Sequence, residues 1–202
     1  MNKKAYSIDI ANEIGTFLDE DNWNFSFNEE KGVFKFSVRL DTKIKKIDYA
    51  LYVQNDAFTV YSVCPIYADE DNMLTMAEFV CRANRGLPNG NFELDMSDGE
   101  IRYKTYVDCK GVIPTQKMIK NSIYCHPKMF EHYGDGIVSV IFNDISAEEA
   151  IDRCEKDPKS VIAYMLADLK EEYPHEDLES LVDRLAANLG IPFNDDKNED
   201  SE

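Results

Sequence analysis

The stretch from Asn89 to Cys109, NGNFELDMSDGEIRYKTYVDC, limits the fold more than any other part of the chain. Phe92, Leu94 and Met96 alternate with Glu93 and Asp95, and after the turn Ile101, Tyr103, Thr105 and Val107 alternate with Arg102, Lys104, Tyr106 and Asp108. A period of two on both arms marks paired strands, because successive side chains leave a pleated strand on opposite faces. Between the arms, Ser97-Asp98-Gly99 supplies a turn-forming Asp and a Gly able to take positive φ, as a short hairpin loop with a bulge requires. The pattern predicts one hairpin set between two helices.

The same rule extends toward the N-terminus. Tyr6, Ile10, Ile14, Phe17 and Leu18 recur at helical spacing and predict an amphipathic helix from about Ala5 to Asp19. Trp23, Phe25 and Phe27, then Phe34, Phe36, Val38 and Leu40 beyond a Glu30-Lys31-Gly32 turn, predict a hairpin with one solvated face. Ile47, Tyr49, Leu51 and Val53 line one side of a third strand, with Ala50 and Tyr52 on the other, and Asn55-Asp56 turns it into a fourth. In that fourth strand Phe58 and Val60 oppose Tyr61 and Val63 across the pleat. Both faces are apolar here, which requires cover on two sides, or a partner on the second.

Asp69, Glu70, Asp71 and Asn72 precede a helical pattern through Met73, Met76, Ala77, Val80 and Ala83. After the central hairpin, Ile113-Pro114 opens another helix through Met118, Ile119 and Ile123, which Pro127 restarts or kinks. Phe130, Tyr133, Ile137 and Ile141 keep helical spacing, but Gly134-Asp135-Gly136 weakens it and leaves residues 137–142 open between helix and strand.

Beyond Ile145 the character changes. Ser146 and Glu149 form a capping box, and Asp157-Pro158 starts a helix bearing Ile162, Met165, Leu166 and Leu169. Leu178, Leu181, Val182, Leu185 and Leu189 then make an apolar stripe that Gly190 and Pro192 end. The expected architecture is α+β, with an antiparallel sheet and helices in residues 1–145, an acidic helical extension in 146–191, and a disordered acidic tail in 192–202.

Charge follows the same division. The formal net charge is −17, of which residues 146–202 hold 17 acidic and 6 basic side chains. Such a field repels nucleic acid phosphates and anionic lipid, and it suits a basic partner or simple solubility. Arg102, Lys104 and Tyr106 mix basic and aromatic groups as single-strand binders do, but alternation puts Tyr103 on the opposite face. Nucleic acid is therefore not an expected partner. No run of apolar residues suffices to span a bilayer, and no apolar signal segment follows the N-terminal lysines. The expected location is the cytoplasm, where Cys64, Cys81, Cys109, Cys125 and Cys154 read as reduced thiols.

Cys125-His126, with His132 nearby, is where a thiol and imidazoles cluster in sequence. Adjacent residues rarely aim their side chains at each other, so packing is the favoured reading over a nucleophile and base. The spacing does not match a zinc site, and Asp95, Asp98 and Glu100 do not match a calcium loop. The common phosphate-binding and nucleophile-elbow loops are absent, and neither a cofactor nor a metal is expected.

The span from about Tyr6 to Phe142 resembles the YbjN family of bacterial proteins. The likeness rests on FVCRANRGLPNGNFELDMSDGEIRYKTYVDC, with Phe92, Leu94, Asp95, Gly99 and the alternating strand after Glu100. The resemblance implies a fold like that of type III secretion chaperones, which are α+β domains that usually dimerise and bind protein segments. It also implies a role in sensory transduction regulation, and it brings no catalytic residues. The expected function is non-enzymatic, chaperone-like protein binding or regulation, with the partner a client protein or a second copy. The candidate contact residues are Tyr52, Tyr61, Val63, Tyr106, Leu181 and Leu185. The alternatives are a thiol-dependent enzyme using Cys125 with His126 or His132, and an acidic protein that sequesters a basic partner.

Overall fold

The structure, a computed structural model, describes residues 5–155, 166, 169–170 and 173–189. The chain divides into two compact units, Met1–Cys154 and Glu155–Glu202. The first contains α1 (Ile8–Glu20), β1 (Phe25–Asn28), β2 (Val33–Arg39), β3 (Lys46–Val53), β4 (Ala57–Val63), α2 (Met73–Asn84), β5 (Asn91–Leu94), β6 (Ile101–Asp108) and α3 (Gln116–Phe142), and α4 (Ala147–Glu155) closes it. The second contains α5 (Leu178–Leu189). Most of the helix expected after Asp157-Pro158, the Gly190-Pro192 stop and the tail lie outside the described residues.

The six strands form one antiparallel sheet in the order β1-β2-β3-β4-β6-β5, so the class is α+β as the alternation predicts. Its inner face carries Phe34 and Phe36 from β2, Tyr49 and Leu51 from β3, Phe58 and Val60 from β4, and Ile101 and Tyr103 from β6. These residues are buried with Ile10, Ile14 and Leu18 of α1, Met76 and Phe79 of α2, and Ile119, Ile123 and Phe130 of α3. Ala147, Ala150, Ile151 and Cys154 of α4 join the same core. Ser146 Oγ accepts from the Glu149 amide at 3.2 Å, as the capping box requires.

Helix α3 runs unbroken for 27 residues, with Pro127 inside it, and residues 137–142 are helical. Proline has no N–H to give the carbonyl four residues back, so Ile123 loses its helical partner. The Tyr49 hydroxyl donates to that carbonyl at 3.0 Å from β3. A strand residue thus supplies the hydrogen bond that the helix lacks. Further along α3, a Cβ at Gly136 would lie 2.7 Å from Phe79 and 2.8 Å from the Cys154 sulfur. Glycine there admits α2 and α4 to close contact, and this packing overrides its poor helix propensity.

The central hairpin pairs Phe92 with Tyr103 and Leu94 with Ile101. Met96 leaves the strand and stands exposed in the turn. Asp95 Oδ1 accepts from the Ser97 amide at 2.9 Å, and Gly99 takes φ 79°. A Cβ at Gly99 would collide with the Ala68 carbonyl oxygen, whose segment pairs back through Ala68 N to Gly99 O at 3.0 Å. At the sheet edge, Asn84 at the end of α2 brackets Phe92. Its Oδ1 accepts from the Phe92 amide at 2.7 Å, and its Nδ2 donates to the Phe92 carbonyl at 2.9 Å.

The start of α2 is ordered without a side-chain cap. Asn72 makes no side-chain cap, and Asp69 instead orders the preceding turn by accepting from the Asp71 and Asn72 amides. In the second unit, Asp177 Oδ1 accepts from the Ser180 amide at 2.8 Å at the start of α5. Arg184 pairs with Glu176 at 2.7 Å and lies over the Tyr173 ring.

Candidate functional site

The outer face of the sheet is built by the strand residues that the core does not use. The register sets them in rows across three strands: Tyr52, Thr59 and Tyr106; Ala50, Tyr61 and Lys104; Asp48, Val63 and Arg102. None of these side chains belongs to the hydrophobic core, because the buried residues of α1 to α4 pack with the opposite face. Tyr106 is 57% exposed and Tyr52 42%. Ala50, Tyr52, Tyr61, Val63, Glu100 and Arg102 are among the residues that line a shallow groove of about 560 Å³.

The groove is held in shape by its own polar contacts. Tyr52 and Tyr61 meet edge to face at 5.8 Å, and the Arg102 guanidinium lies 4.5 Å above the Tyr61 ring. Gln54 donates to Thr59 Oγ1 at 3.3 Å. Across the β5–β6 pair, Glu93 accepts from Arg102 at 2.8 Å and from Lys104 at 3.1 Å, and Glu100 lies 3.6 Å from Arg102. Burial disfavours a charge on Glu93, yet the bonds from Lys104 and Arg102 hold its carboxyl below the usual value. The arginine is thereby held over Tyr61 while its side chain stays 40% exposed.

Four of the six sequence-predicted contact residues, Tyr52, Tyr61, Val63 and Tyr106, stand together on this face. Leu181 and Leu185 lie in α5 of the second unit, where both are buried while Leu178 and Val182 are exposed. Glu93 was not singled out in the sequence, although the hairpin register that places it opposite Arg102 follows from the alternation.

Cys125 and His126 are each engaged by other groups. His126 is fully buried, with Nδ1 at 2.6 Å from Ser62 Oγ and Nε2 at 3.1 Å from Thr105 Oγ1. Both ring nitrogens are therefore engaged by hydroxyls. Burial lowers the imidazole to about 3. The Cys125 thiol donates to the Ser122 carbonyl, and burial pushes it up to about 12. A thiol held so far from ionisation is a poor nucleophile. His132 packs edge to face on Tyr133 at 4.5 Å. Asp95 and Asp98 accept from turn amides, and among the described residues no group of three His, Cys, Asp or Glu side chains is placed to hold a metal. Among the same residues, no helix is long and apolar enough to cross a membrane.

The YbjN family model, described as "Putative bacterial sensory transduction regulator", matches residues 11–137. Those residues run from α1 into α3 and include the whole sheet. Among curated proteins none matches the chain.

Proposed function

The chain belongs to the YbjN family, and from that premise we propose that it is a non-enzymatic regulatory domain acting by protein–protein contact through the outer face of its sheet. One observation carries this reading. Tyr52, Tyr61 and Tyr106 stand on a sheet face whose residues take no part in the core, and Tyr52 and Tyr61 line a groove there together with Arg102. Tyrosine and arginine are the residues over-represented where protein interfaces gain most of their binding energy, since they bury a large apolar body and keep a polar tip. The face is carried by hydrogen-bonded strands and is therefore ordered in advance, which reduces the entropic cost of binding. A protein segment laid on it loses little by ordering the receptor.

The test is site-specific photo-crosslinking in the native cell. A benzophenone amino acid at position 106 is expected to form adducts with a discrete protein, whereas one at Phe142, exposed at the C-terminal end of α3, does not. The mass of the adduct separates a client from a second copy of the chain, the two partners that the family likeness suggests. Absence of adducts at position 106 overturns the assignment of this face. A turnover reaction abolished by Cys125→Ser in a protein that still folds overturns the non-enzymatic reading.

A further inference from the structure

We propose that the segment received by the outer face is an extended, acidic stretch of another protein, which rests on the reading of this face as the contact surface. The charge on the face is opposite in trend to that of the chain. Over the whole sequence 39 acidic side chains outnumber 22 basic ones. Within the strands, the outer face presents Lys35, Arg39, Lys46, Arg102 and Lys104 against Asp48, Glu93 and Asp108.

These cations are not equivalent. Lys46 pairs with Asp48 at 2.8 Å, and Glu93 and Glu100 hold Arg102 and Lys104. Lys35 and Arg39 remain exposed on β2 with no ion-pair partner among the described residues. They sit four residues apart on one strand and therefore on the same face. Lys35 stands directly across from Ala50, and Ala50 from Tyr61. A small residue thus forms the floor between an unpaired ammonium and the stacked Tyr61–Arg102 pair. The arrangement offers apolar aromatic surface at the centre and two uncompensated positive charges on one flank.

A segment with apolar side chains and spaced carboxylates fits both features. Its apolar groups lie on Tyr52, Tyr61 and Val63, and its carboxylates reach Lys35 and Arg39. A nucleic acid strand fits less well, because its closely spaced phosphates must displace Glu93 and Glu100 from Arg102 against the field of a chain with charge −17. Screening limits that field to a Debye length, roughly 8 Å at physiological ionic strength, so contact charges decide between spaced carboxylates and their neutral analogues.

The experiment measures fluorescence anisotropy of dye-labelled short peptides on the full chain at physiological ionic strength. The probes are an alternating Glu/Leu peptide, its Gln/Leu and Lys/Leu counterparts, and an oligothymidylate. The Glu/Leu peptide is expected to bind about tenfold more tightly than the Gln/Leu peptide. The double substitution Lys35→Glu, Arg39→Glu is expected to remove that difference while leaving the Gln/Leu affinity and the thermal midpoint unchanged. Equal affinity for acidic and neutral peptides overturns the inference, as does tightest binding of the basic peptide or of the oligothymidylate. A dimer in light scattering that excludes every peptide assigns the face to a second copy instead. If no peptide binds while crosslinks at position 106 persist, the charge inference fails and the contact surface stands; loss of the crosslinks removes the contact surface itself.

Discussion

The two faces of the sheet are written by alternate residues of the same strands, yet they obey different rules. On the inner face the large side chains are buried in the core or packed against it, and polar groups there are matched: His126 by Ser62 and Thr105, the Ile123 carbonyl by Tyr49. On the outer face Tyr52 and Tyr106 are left in solvent, and Glu93 pairs across strands with Arg102 and Lys104 while Lys35 and Arg39 keep their charges uncompensated among the described residues. Inner residues are tied to the stability of the fold. Outer residues can change with little cost to it. That separation leaves the outer residues free of the demands of the core, and perturbations of graded size can break or sharpen it.

The largest effect is expected where the sheet's turn has no alternative. Gly99→Val places a β-branched residue at φ 79° and a Cβ on the Ala68 carbonyl oxygen. Strain of roughly 1–3 kcal/mol adds to the displacement of the paired Ala68 segment, for a total above about 3 kcal/mol. Thermal melting at or above the wild-type midpoint would refute this.

The next effect is on pH. His126 is neutral in the folded state, with its imidazole lowered to about 3 by burial, while the unfolded chain binds a proton near 6.5. Between these values the unfolded state holds the extra proton, so stability rises with pH. The contribution is complete above 6.5 and is lost as pH falls below it, reaching roughly 3 kcal/mol of loss by pH about 4.5. Urea titrations across this range are expected to show that slope in the wild type and a flatter one in His126→Leu. Equal slopes would remove the inner-face imidazole from the account.

Tyr49→Phe is smaller. It leaves the Ile123 carbonyl beside Pro127 without its donor, at a cost of about 1–3 kcal/mol, and Pro127→Ala in the same background is expected to recover most of it. Absence of recovery in a thermal-melt cycle would show that the hydroxyl and the proline are not coupled. At the bottom of the scale, Tyr106→Ser on the outer face is expected to shift stability by less than about 0.5 kcal/mol while abolishing partner contact. A shift as large as that of Tyr49→Phe would mean that the two faces are not separable.

Much of this contrast was legible in the chain. Period-two alternation is local, so it places Phe58 against Tyr61 and Tyr103 against Arg102 without knowledge of the fold. The same holds for the Gly99 turn and for the Ser146 cap, both set by neighbours within a few residues. What the sequence hides is contact between distant elements. The Ile123 carbonyl that Pro127 leaves open is met by a tyrosine 74 residues away from it, and the passage of α3 through Gly136 depends on Phe79 and Cys154. The engagement of His126 likewise depends on β4 and β6. Local propensity reads each of those positions as a weakness, and tertiary partners reverse the reading. At the candidate site, alternation grouped the four aromatic and aliphatic residues, but the neutralisation that distinguishes Lys35 and Arg39 from Arg102 and Lys104 needs the strand register.

The Asn84 bracket has a bearing on growth as well as on form. A sheet is a potential polymer, since each edge strand is a template for the next. With the outward amide and carbonyl of Phe92 already held by a side chain, β5 behaves as a terminated chain end, whereas β1 pairs only with β2. Propagation by strand addition is thereby one-sided. Two molecules joined β1 to β1 would display only capped ends, so such an assembly halts at a pair instead of extending into a fibre.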